Sequence, residues 1–448
     1  MVWRGGIVIA PLRDRAVAGS GVAGSGVAGA GLAGAGVAGV GVAGAGGAWH
    51  PAGMATQLRS VPDPLDGFSL PGWLYWNADF FAAEQRAFLR AAPQIVCHEN
   101  EIAAAGEWRS LEYLGESVIA IRGDDGLVRA FANVCRHRGS RLVDGNGGCA
   151  KLLTCPYHAW SYARDGRLVG VPQRSEYPGL DPSTLGLKPV ALEQWHGFLF
   201  VTLEPGAPSV AQMMAPYEAE VAPYRFEELR PIGRVTLRQR ALNWKTIADN
   251  YSDALHIPVG HPGLTRLFGR DYRIEAGEHV DRMEGDLVEQ PSANRSERAY
   301  QHFLPQADHL PRSHRRKWLY YKLWPNVAFD IYPDQVDFMQ FLPVSANETV
   351  IREISYALPD APDDPQRRRM RAARYLNWRI NRRVNAEDTE LIARVQQGMQ
   401  SPSYEPGPLG TSEVCLRSFA QKLRRLIPEA RLPAPPASGW GHSNQSAA

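Results

Sequence analysis

The fold of the N-terminal half of this chain is decided by two stretches, Asn133-Val-Cys-Arg-His-Arg-Gly139 and Thr154-Cys-Pro-Tyr-His-Ala-Trp160. Each stretch holds one cysteine and one histidine, and seventeen residues separate His137 from Cys155. Two thiolates and two imidazoles on neighbouring loops are ligands for a metal centre. Around them, from Ile95 to about Leu203, the pattern is one of short strands and turns.

The four candidate ligands match a Rieske [2Fe–2S] cluster, in which two histidines replace two cysteines on one iron. Neutral imidazoles raise the reduction potential, so such a centre can take an electron from a ferredoxin or reductase and pass it on. A zinc site on the same residues is the alternative. Zinc sites usually show Cys-x2-Cys or His-x3-His spacing, and Cys-x-His is unusual for them.

A second metal site is predicted in Asn243-Trp-Lys-Thr-Ile-Ala-Asp-Asn-Tyr-Ser-Asp-Ala-Leu-His-Ile-Pro-Val-Gly-His261. Asp253 and His256 are three residues apart, so on a helix they share one face. The Ile-Pro-Val-Gly that follows is expected to end the helix and let His261 reach the same metal. Two histidines and a carboxylate form a facial triad with open positions for O2 and substrate. In the alternative interpretation, both histidines are surface residues near a helix end.

Both cluster loops and the segment from Asn243 to His261 closely resemble those of the alpha (oxygenase) subunits of Rieske-type non-haem iron oxygenases. The resemblance covers about Pro71 to Ile427. It implies one [2Fe–2S] cluster per subunit, bound by Cys135, His137, Cys155 and His158. It also implies one mononuclear Fe(II) per subunit, bound by His256, His261 and a third ligand.

The family takes that third ligand from a late helix, and the segment from Asn385 to Gln396 resembles it. We therefore assign Asp388, with Glu387 and Glu390 as local rivals. By the same resemblance, Asp253 is the bridging carboxylate between a cluster histidine and the iron of a neighbouring subunit.

Cluster and iron within one chain of this family are too far apart for fast electron transfer, so the resemblance implies a ring, most simply a homotrimer. The expected path runs through His158, Asp253 and His256. Asn250 is expected beside the iron, and with Asp253 it completes the predicted catalytic residues. A small beta subunit remains an open alternative.

The predicted fold class is α+β: an antiparallel β Rieske domain, then a helix-grip (START-like) catalytic domain with an antiparallel sheet and a long C-terminal helix. Residues 54–94 are predicted as a lead-in whose helix, capped by Asp79, packs on the catalytic domain. The Rieske domain is expected at 95–203 and the catalytic domain at 204–432. Residues 1–53 read as a Gly/Ala-rich extension, disordered or not part of the native protein, and 433–448 as a flexible tail.

Composition excludes some classes of function. With 49 Lys and Arg against 47 Asp and Glu, the formal net charge is +2, so nucleic-acid binding is not expected. Five cysteines without framework spacing argue against a secreted disulfide scaffold. A cytoplasmic protein without membrane association is predicted. The chain shows no Gly-rich nucleotide loop, so no bound flavin or nicotinamide is expected.

The family mechanism uses O2 and electrons from NAD(P)H, delivered by a separate reductase with or without a ferredoxin, to hydroxylate an organic substrate. The run from Val395 to Glu413 resembles oxygenases of choline, carnitine and glycine betaine, although the carnitine enzymes have Glu where this chain has Asp253. Ring hydroxylation in aromatic compound catabolism is one alternative, and a Rieske electron carrier without oxygenase activity is another. Candidate aromatic faces for a quaternary ammonium ion are Trp318, Tyr320, Tyr321, Trp324, Phe329, Tyr332, Phe338 and Phe341.

Overall fold

The computed structural model describes residues 63–437, apart from residues 305, 306, 308 and 362. These residues belong to one compact unit. The predicted extension at 1–53 lies outside the described residues. So do residues 54–62 of the predicted lead-in and residues 438–448 of the predicted tail.

The N-terminal part of the described chain is built from strands. They are β1 Gln94–His98, β2 Glu107–Tyr113, β3 Glu116–Arg122, β4 Val128–Ala132, β5 Asn146–Gly148, β6 Leu152–Thr154, β7 Ser161–Ala163, β8 Leu168–Gly170, β9 Pro189–Trp195 and β10 Phe198–Thr202. Seven form an antiparallel sheet in the order β1-β10-β9-β4-β3-β2-β5, and β6-β7-β8 form a smaller sheet. One predicted cluster loop follows β4 and the other joins β6 to β7, so both leave the ends of paired strands.

The C-terminal part contains the second large sheet. Its strands are β11 Arg230–Pro231, β12 Thr236–Arg240, β13 Arg273–Glu275, β14 Val280–Asp286, β15 Lys317–Leu323, β16 Val327–Ile331, β17 Val336–Ser345 and β18 Glu348–Ala357. They pair antiparallel in the order β11-β18-β17-β16-β15-β14-β13, with β12 also on β18. Antiparallel sheets joined by helices confirm the predicted α+β class.

The described residues also form helices, several of which connect strands of this sheet. They are α1 Ala78–Glu84, α2 Val210–Met214, α3 Glu218–Val221, α4 Trp244–Tyr251, α5 Ile257–Gly260, α6 Pro262–Phe268, α7 Arg295–Phe303, α8 Arg367–Met399 and α9 Val414–Leu426. The predicted long C-terminal helix is α8, which has 33 residues. None of the helices in the described part of the chain combines the length and the apolar character that a membrane crossing requires.

Helix α1 packs on helices of the C-terminal part. Asn77 caps it by accepting a hydrogen bond from the Phe80 N–H at 2.8 Å, so the prediction that Asp79 is the cap was wrong by two residues. A π-helical turn, Gln85–Leu89, extends it. The Phe88 ring lies 6.2 Å from that of Trp244 in α4, within one buried apolar cluster.

The two faces of the central strands have different roles because successive side chains of a strand point to opposite faces. On one face Tyr321, Phe329 and Phe338 pack against the first sheet in a buried core. On the other face, strand pairing places Tyr320, Asp330, Asp337 and Ser355 in one row across β15, β16, β17 and β18. This second face forms a wall of the candidate active site.

Candidate redox centre and active site

The two predicted cluster loops have nearly the same backbone conformation. In each loop the cysteine N–H donates to the carbonyl five residues later at 2.8 Å, and the cysteine carbonyl accepts from the N–H four residues later at 3.0 Å. The donors at that fourth position are Gly139 and Ala159, which have φ values of 74° and 56°. Such φ values are rare for alanine and tight turns account for them. The two loops therefore present Cys135 and Cys155 in equivalent positions.

The four predicted ligands lie together. The rings of His137 and His158 are 4.6 Å apart, and both cysteines are buried. Burial would raise the pKa of the Cys155 thiol, but N–H groups of residues 157 and 158 outweigh it and lower that pKa, which favours a thiolate. The buried Nδ1 of His137 has no hydrogen-bond partner among the described residues. A buried nitrogen without a partner is costly, whereas a metal bond would satisfy it.

Tyr162 and Trp160 support this centre. The Tyr162 hydroxyl lies 3.3 Å from Cys135 Sγ and accepts a hydrogen bond from the Arg136 N–H at 2.9 Å. The Trp160 ring stacks on that of His137 at 4.8 Å. These contacts fix the orientation of a thiol and an imidazole, and the whole set fits a [2Fe–2S] cluster.

The local structure around Asp253 and His256 differs from the prediction. Helix α4 ends at Tyr251, and both residues lie in a turn rather than on a shared helix face. Asp253 stabilises this turn because its carboxylate accepts from the N–H groups of Leu255 at 2.7 Å and His256 at 3.3 Å. The Ile-Pro-Val-Gly run begins a helix instead of ending one, since proline is well tolerated near a helix start.

His256, His261 and Asp388 nevertheless converge. Their side-chain ligand atoms all lie within 4.8 Å of one another. Nε2 of His261 is 2.9 Å from Asp388 Oδ1, and Nε2 of His256 is 3.6 Å from the same oxygen. Helix α8 supplies Asp388 from 127 residues further along the chain than His261. Asn250 Nδ2 donates to Asp388 Oδ1 at 2.8 Å, so Asn250 orients the carboxylate.

Two further carboxylates hold the outer nitrogens of the histidines. Asp253 Oδ2 lies 3.1 Å from Nδ1 of His256, and Glu387 Oε2 lies 3.0 Å from Nδ1 of His261. When each Nδ1–H donates to its carboxylate, both Nε2 atoms carry lone pairs. These Nε2 atoms are 3.1 Å apart, a separation that a shared cation would stabilise. The donor set therefore fits a mononuclear Fe(II).

The electrostatics of the triad favour positive charge. Burial lowers the pKa of His256, but hydrogen bonds to Asp253 and Asp388 outweigh it and raise that pKa to about 9. Burial acts against the Asp388 carboxylate, yet its contacts with His256 and His261 hold its pKa at about 2. The same negative groups that stabilise imidazolium would stabilise a divalent cation with neutral imidazoles.

A cavity of about 740 Å³ opens beside the triad. The sheet face and helices α4 and α8 line it, and the three triad residues form part of its wall. Of the eight aromatic candidates, Tyr320, Tyr332 and Phe341 line this cavity, whereas Phe338 borders it but packs its ring into the core on the opposite sheet face. Tyr321 and Phe329 are core residues of the opposite sheet face, whereas Trp318 packs on Tyr300 and Trp324 on Phe419.

Sequence reasoning missed several residues of this site. Glu387 was considered only as a rival ligand, although it contacts His261 from outside. Tyr251 and Tyr272 line the cavity, as do the acidic residues Asp330 and Asp337. The alternation of Asp330, near the end of β16, with Tyr332, just after it, was the available signal.

Both the N-terminal and the C-terminal part of the chain match known protein families. Residues 92–190 match the family described as the Rieske [2Fe-2S] domain, and residues 226–429 match the catalytic domain of the ring hydroxylating alpha subunit. The carnitine monooxygenase oxygenase subunit of Escherichia coli (strain K12) is 29% identical over 347 residues, which cover 76% of this chain and 87% of that protein. The glycine betaine monooxygenase oxygenase subunit of Chromohalobacter salexigens is 36% identical over 196 residues, 44% of each chain.

Solved structures show the same fold. A quaternary ammonium Rieske monooxygenase in complex with an inhibitor superposes with a TM-score of 0.68 at 22% identity, covering 80% of this chain and 95% of that one. Naphthalene 1,2-dioxygenase from Rhodococcus sp. bound to indole superposes with a TM-score of 0.64 at 20% identity. The match covers 81% of this chain and 94% of that one. The fold is therefore common to proteins whose named ligands differ.

Proposed function

Because the chain belongs to the Rieske-type non-haem iron oxygenases, as an oxygenase (alpha) subunit with a [2Fe–2S] cluster and a mononuclear iron, we propose that its substrate is a quaternary ammonium compound. The cluster is assigned to Cys135, His137, Cys155 and His158, and the iron to His256, His261 and Asp388. When bound, the iron activates O2 with electrons that a separate reductase supplies through the cluster.

The proposed reaction is hydroxylation next to nitrogen. One atom of O2 enters a C–H bond of a carbon attached to the ammonium nitrogen, and the other leaves as water with two protons and two electrons from the reductase. The C–N bond of the resulting hydroxyalkyl ammonium then breaks, releasing a carbonyl compound, a tertiary amine and a proton. The chain's own residues bind and orient the substrate for this reaction.

The aromatic wall of the cavity carries the substrate assignment. The Tyr320 ring lies 6.4 Å from that of Tyr251, 6.1 Å from that of Tyr272 and 6.2 Å from that of Tyr332. A quaternary ammonium has no N–H to donate, and aromatic faces bind it by cation–π attraction of about 0.5–2 kcal/mol per contact. Relatives named for carnitine and glycine betaine support the same class of substrate.

An aromatic wall also suits an arene, so ring hydroxylation is the competing function. To separate the two, iron-replete protein is melted under argon with carnitine, glycine betaine and choline, and separately with naphthalene and benzoate. A ligand that binds only the folded state raises Tm. We expect the ammonium compounds to raise Tm and, with a Rieske reductase, NADH and O2, to yield a tertiary amine. A Tm increase and diol formation with arenes alone would contradict the proposal.

We further propose a homotrimer in which the cluster of one subunit faces the iron of the next. Exposed apolar side chains flank both centres: Leu255 and Val259 lie beside His256, and Tyr157 lies beside His158. Val259 is 85% exposed and Tyr157 is 57% exposed in the single chain. Exposed apolar groups at two sites that must exchange electrons favour an interface there.

The trimer is tested by complementation. A Cys155→Ser chain lacks a cluster ligand and a His261→Ala chain lacks an iron ligand, so each homotrimer should be inactive. Co-expressed with different affinity tags and purified as mixed assemblies, they should regain activity, because an intact cluster then faces an intact iron site. Mixed trimers that remain inactive, or a monomer in solution, would refute this arrangement.

A further inference from the structure

Two carboxylates lie side by side on the cavity wall. Asp330 in β16 and Asp337 in β17 are directly paired residues of neighbouring antiparallel strands, and both line the same cavity as the iron triad. Directly opposed side chains on one sheet face are about 5 Å apart at Cβ. Asp330 is only 7% exposed. Two carboxylates at this distance repel each other, and burial deprives them of stabilising hydration.

Within the described residues, no ion pair joins either carboxylate to a lysine, arginine or histidine. Asp330 accepts hydrogen bonds from the hydroxyls of Tyr251 and Tyr332, and Asp337 accepts two from Gln335 Nε2 at 2.9 and 3.1 Å. By contrast, Glu353 in the same cavity forms an ion pair with Arg238. Among the described residues, the Asp330–Asp337 pair therefore has hydrogen-bond donors but no ion-pair partner.

We propose that Asp330 and Asp337 are the specificity-determining residues that bind the positive nitrogen of the substrate, in the midst of the aromatic wall. This inference rests on the proposed function and deepens it. Aromatic faces alone accept arenes as well as cations, whereas an uncompensated carboxylate pair favours a cation and disfavours a neutral molecule of the same shape. A carboxylate needs no N–H from its partner to attract it, so the pair suits a quaternary ammonium.

The protonation state of the two carboxylates should also change the affinity for a cationic substrate. Burial, together with the charge of Glu353, raises the pKa of Asp330 to about 7, and burial beside Asp330 raises the pKa of Asp337 well above its usual value. The other titratable or charged groups around the pair in this cavity are four phenols, one ion pair and two arginines. They are Tyr251 from α4, Tyr272 before β13, Tyr320 from β15, Tyr332 after β16, the ion pair of Arg238 in β12 with Glu353 in β18, Arg240 from β12 and Arg382 from α8. Because a cation binds the deprotonated carboxylates better, cation affinity should rise with pH through about 7.

The decisive test compares a cation with its neutral carbon isostere. Choline and its neutral isostere 3,3-dimethylbutan-1-ol differ only in the replacement of the charged nitrogen by carbon. The zwitterion glycine betaine and the anion 3,3-dimethylbutanoate form a second pair with the same replacement, in which both members keep the carboxylate. Dissociation constants are measured by calorimetry on the iron-replete protein under argon, for the wild type and for Asp330→Asn and Asp337→Asn. Asp334→Asn is the matched control, because Asp334 is a buried aspartate near β16 that binds Tyr300 rather than lining the cavity. Melting curves and iron content verify that each variant folds.

We expect the wild type to bind each cation at least about tenfold more tightly than its isostere, a difference of ~1.4 kcal/mol. This ratio should fall close to one in Asp330→Asn and Asp337→Asn and stay unchanged in Asp334→Asn. Choline affinity should rise from about pH 5.5 to 8.5 in the wild type and become flatter in both cavity variants. If the wild type demethylates quaternary amines but the two cavity variants keep the full ratio of affinities, the proposed role of the carboxylate pair is refuted and the proposed function stands. If the wild type oxidises arenes and no quaternary amine, the proposed function fails, and this inference fails with it.

Discussion

Nε2 of His256 and Nε2 of His261 face each other at 3.1 Å, while Nδ1 of each ring is held by a different carboxylate. This relationship defines the site, because two lone pairs at that distance are stable only with a positive charge between them. Either a proton or a metal ion can supply it. Asp388 completes the set from the third side, at 2.9 Å from His261.

Replacing His261 with alanine should remove the mononuclear iron and leave the cluster. Two of three protein ligands then remain, whereas no cluster ligand is touched. Iron analysis should fall from about three atoms per chain to about two, with the visible absorption of the cluster unchanged. A variant that keeps three iron atoms would show that His261 is not a ligand.

Replacing Glu387 with glutamine should weaken iron binding without abolishing it. Glu387 accepts the hydrogen bond that keeps Nε2 of His261 free for the metal. Loss of such an outer carboxylate typically costs about 10–100-fold in metal affinity, which competition with a chelator measures. Glu390→Gln is the control, because Glu390 is an exposed carboxylate on the same helix. Equal affinities for the two variants would exclude an orienting role for Glu387.

Replacing Asp253 with asparagine should slow electron transfer more than it alters metal content. Asp253 contacts Nδ1 of the proposed iron ligand His256 and lies next to the exposed Leu255. In a single-turnover experiment with pre-reduced cluster, substrate and O2, we expect cluster reoxidation to slow by at least about tenfold, equivalent to ~1.4 kcal/mol of barrier. If the cluster of this variant is reoxidised at the normal rate, Asp253 is not part of the electron-transfer path. If the variant has lost its mononuclear iron, the role of Asp253 is to maintain the iron site.

Replacing Glu84 with glutamine should destabilise the protein strongly. Lys245 Nζ lies 2.8 Å from Glu84 Oε1, and both side chains are fully buried where α1 meets α4. Removing one partner leaves a buried ammonium without its counter-charge, at a cost of about 3–5 kcal/mol. Denaturant titration measures this loss. The double variant Glu84→Leu/Lys245→Met serves as the control and should lie closer to the wild type, since it buries no charge.

Much of the fold was predictable because its signals are local. Turn residues marked the strand ends, and the predicted long C-terminal helix is observed at Arg367–Met399. The sequence predicted that Asp253 and His256 lie close together because they share a helix face. They do lie close together, but in a turn. The Asp253 carboxylate accepts a hydrogen bond from a backbone N–H two residues later, and this turn replaces a continuation of α4. An argument from helix periodicity cannot predict such a local competing hydrogen bond. Likewise Asn77 rather than Asp79 caps α1, since either residue type can accept the hydrogen bond.

The sequence by itself predicted the two cluster loops and the Asp253-x-x-His256-x4-His261 segment, because these candidate ligands sit within a few residues of one another and their spacing limits the chemistry. Only the tertiary structure decided that Glu387 contacts the outer nitrogen of His261 and which residues line the cavity. Asp388 and Glu387 reach the site on a helix more than 120 residues away. Asp330 and Asp337 face each other only because strand register places both on the cavity face, and a shift of one residue would turn either side chain into the opposite core.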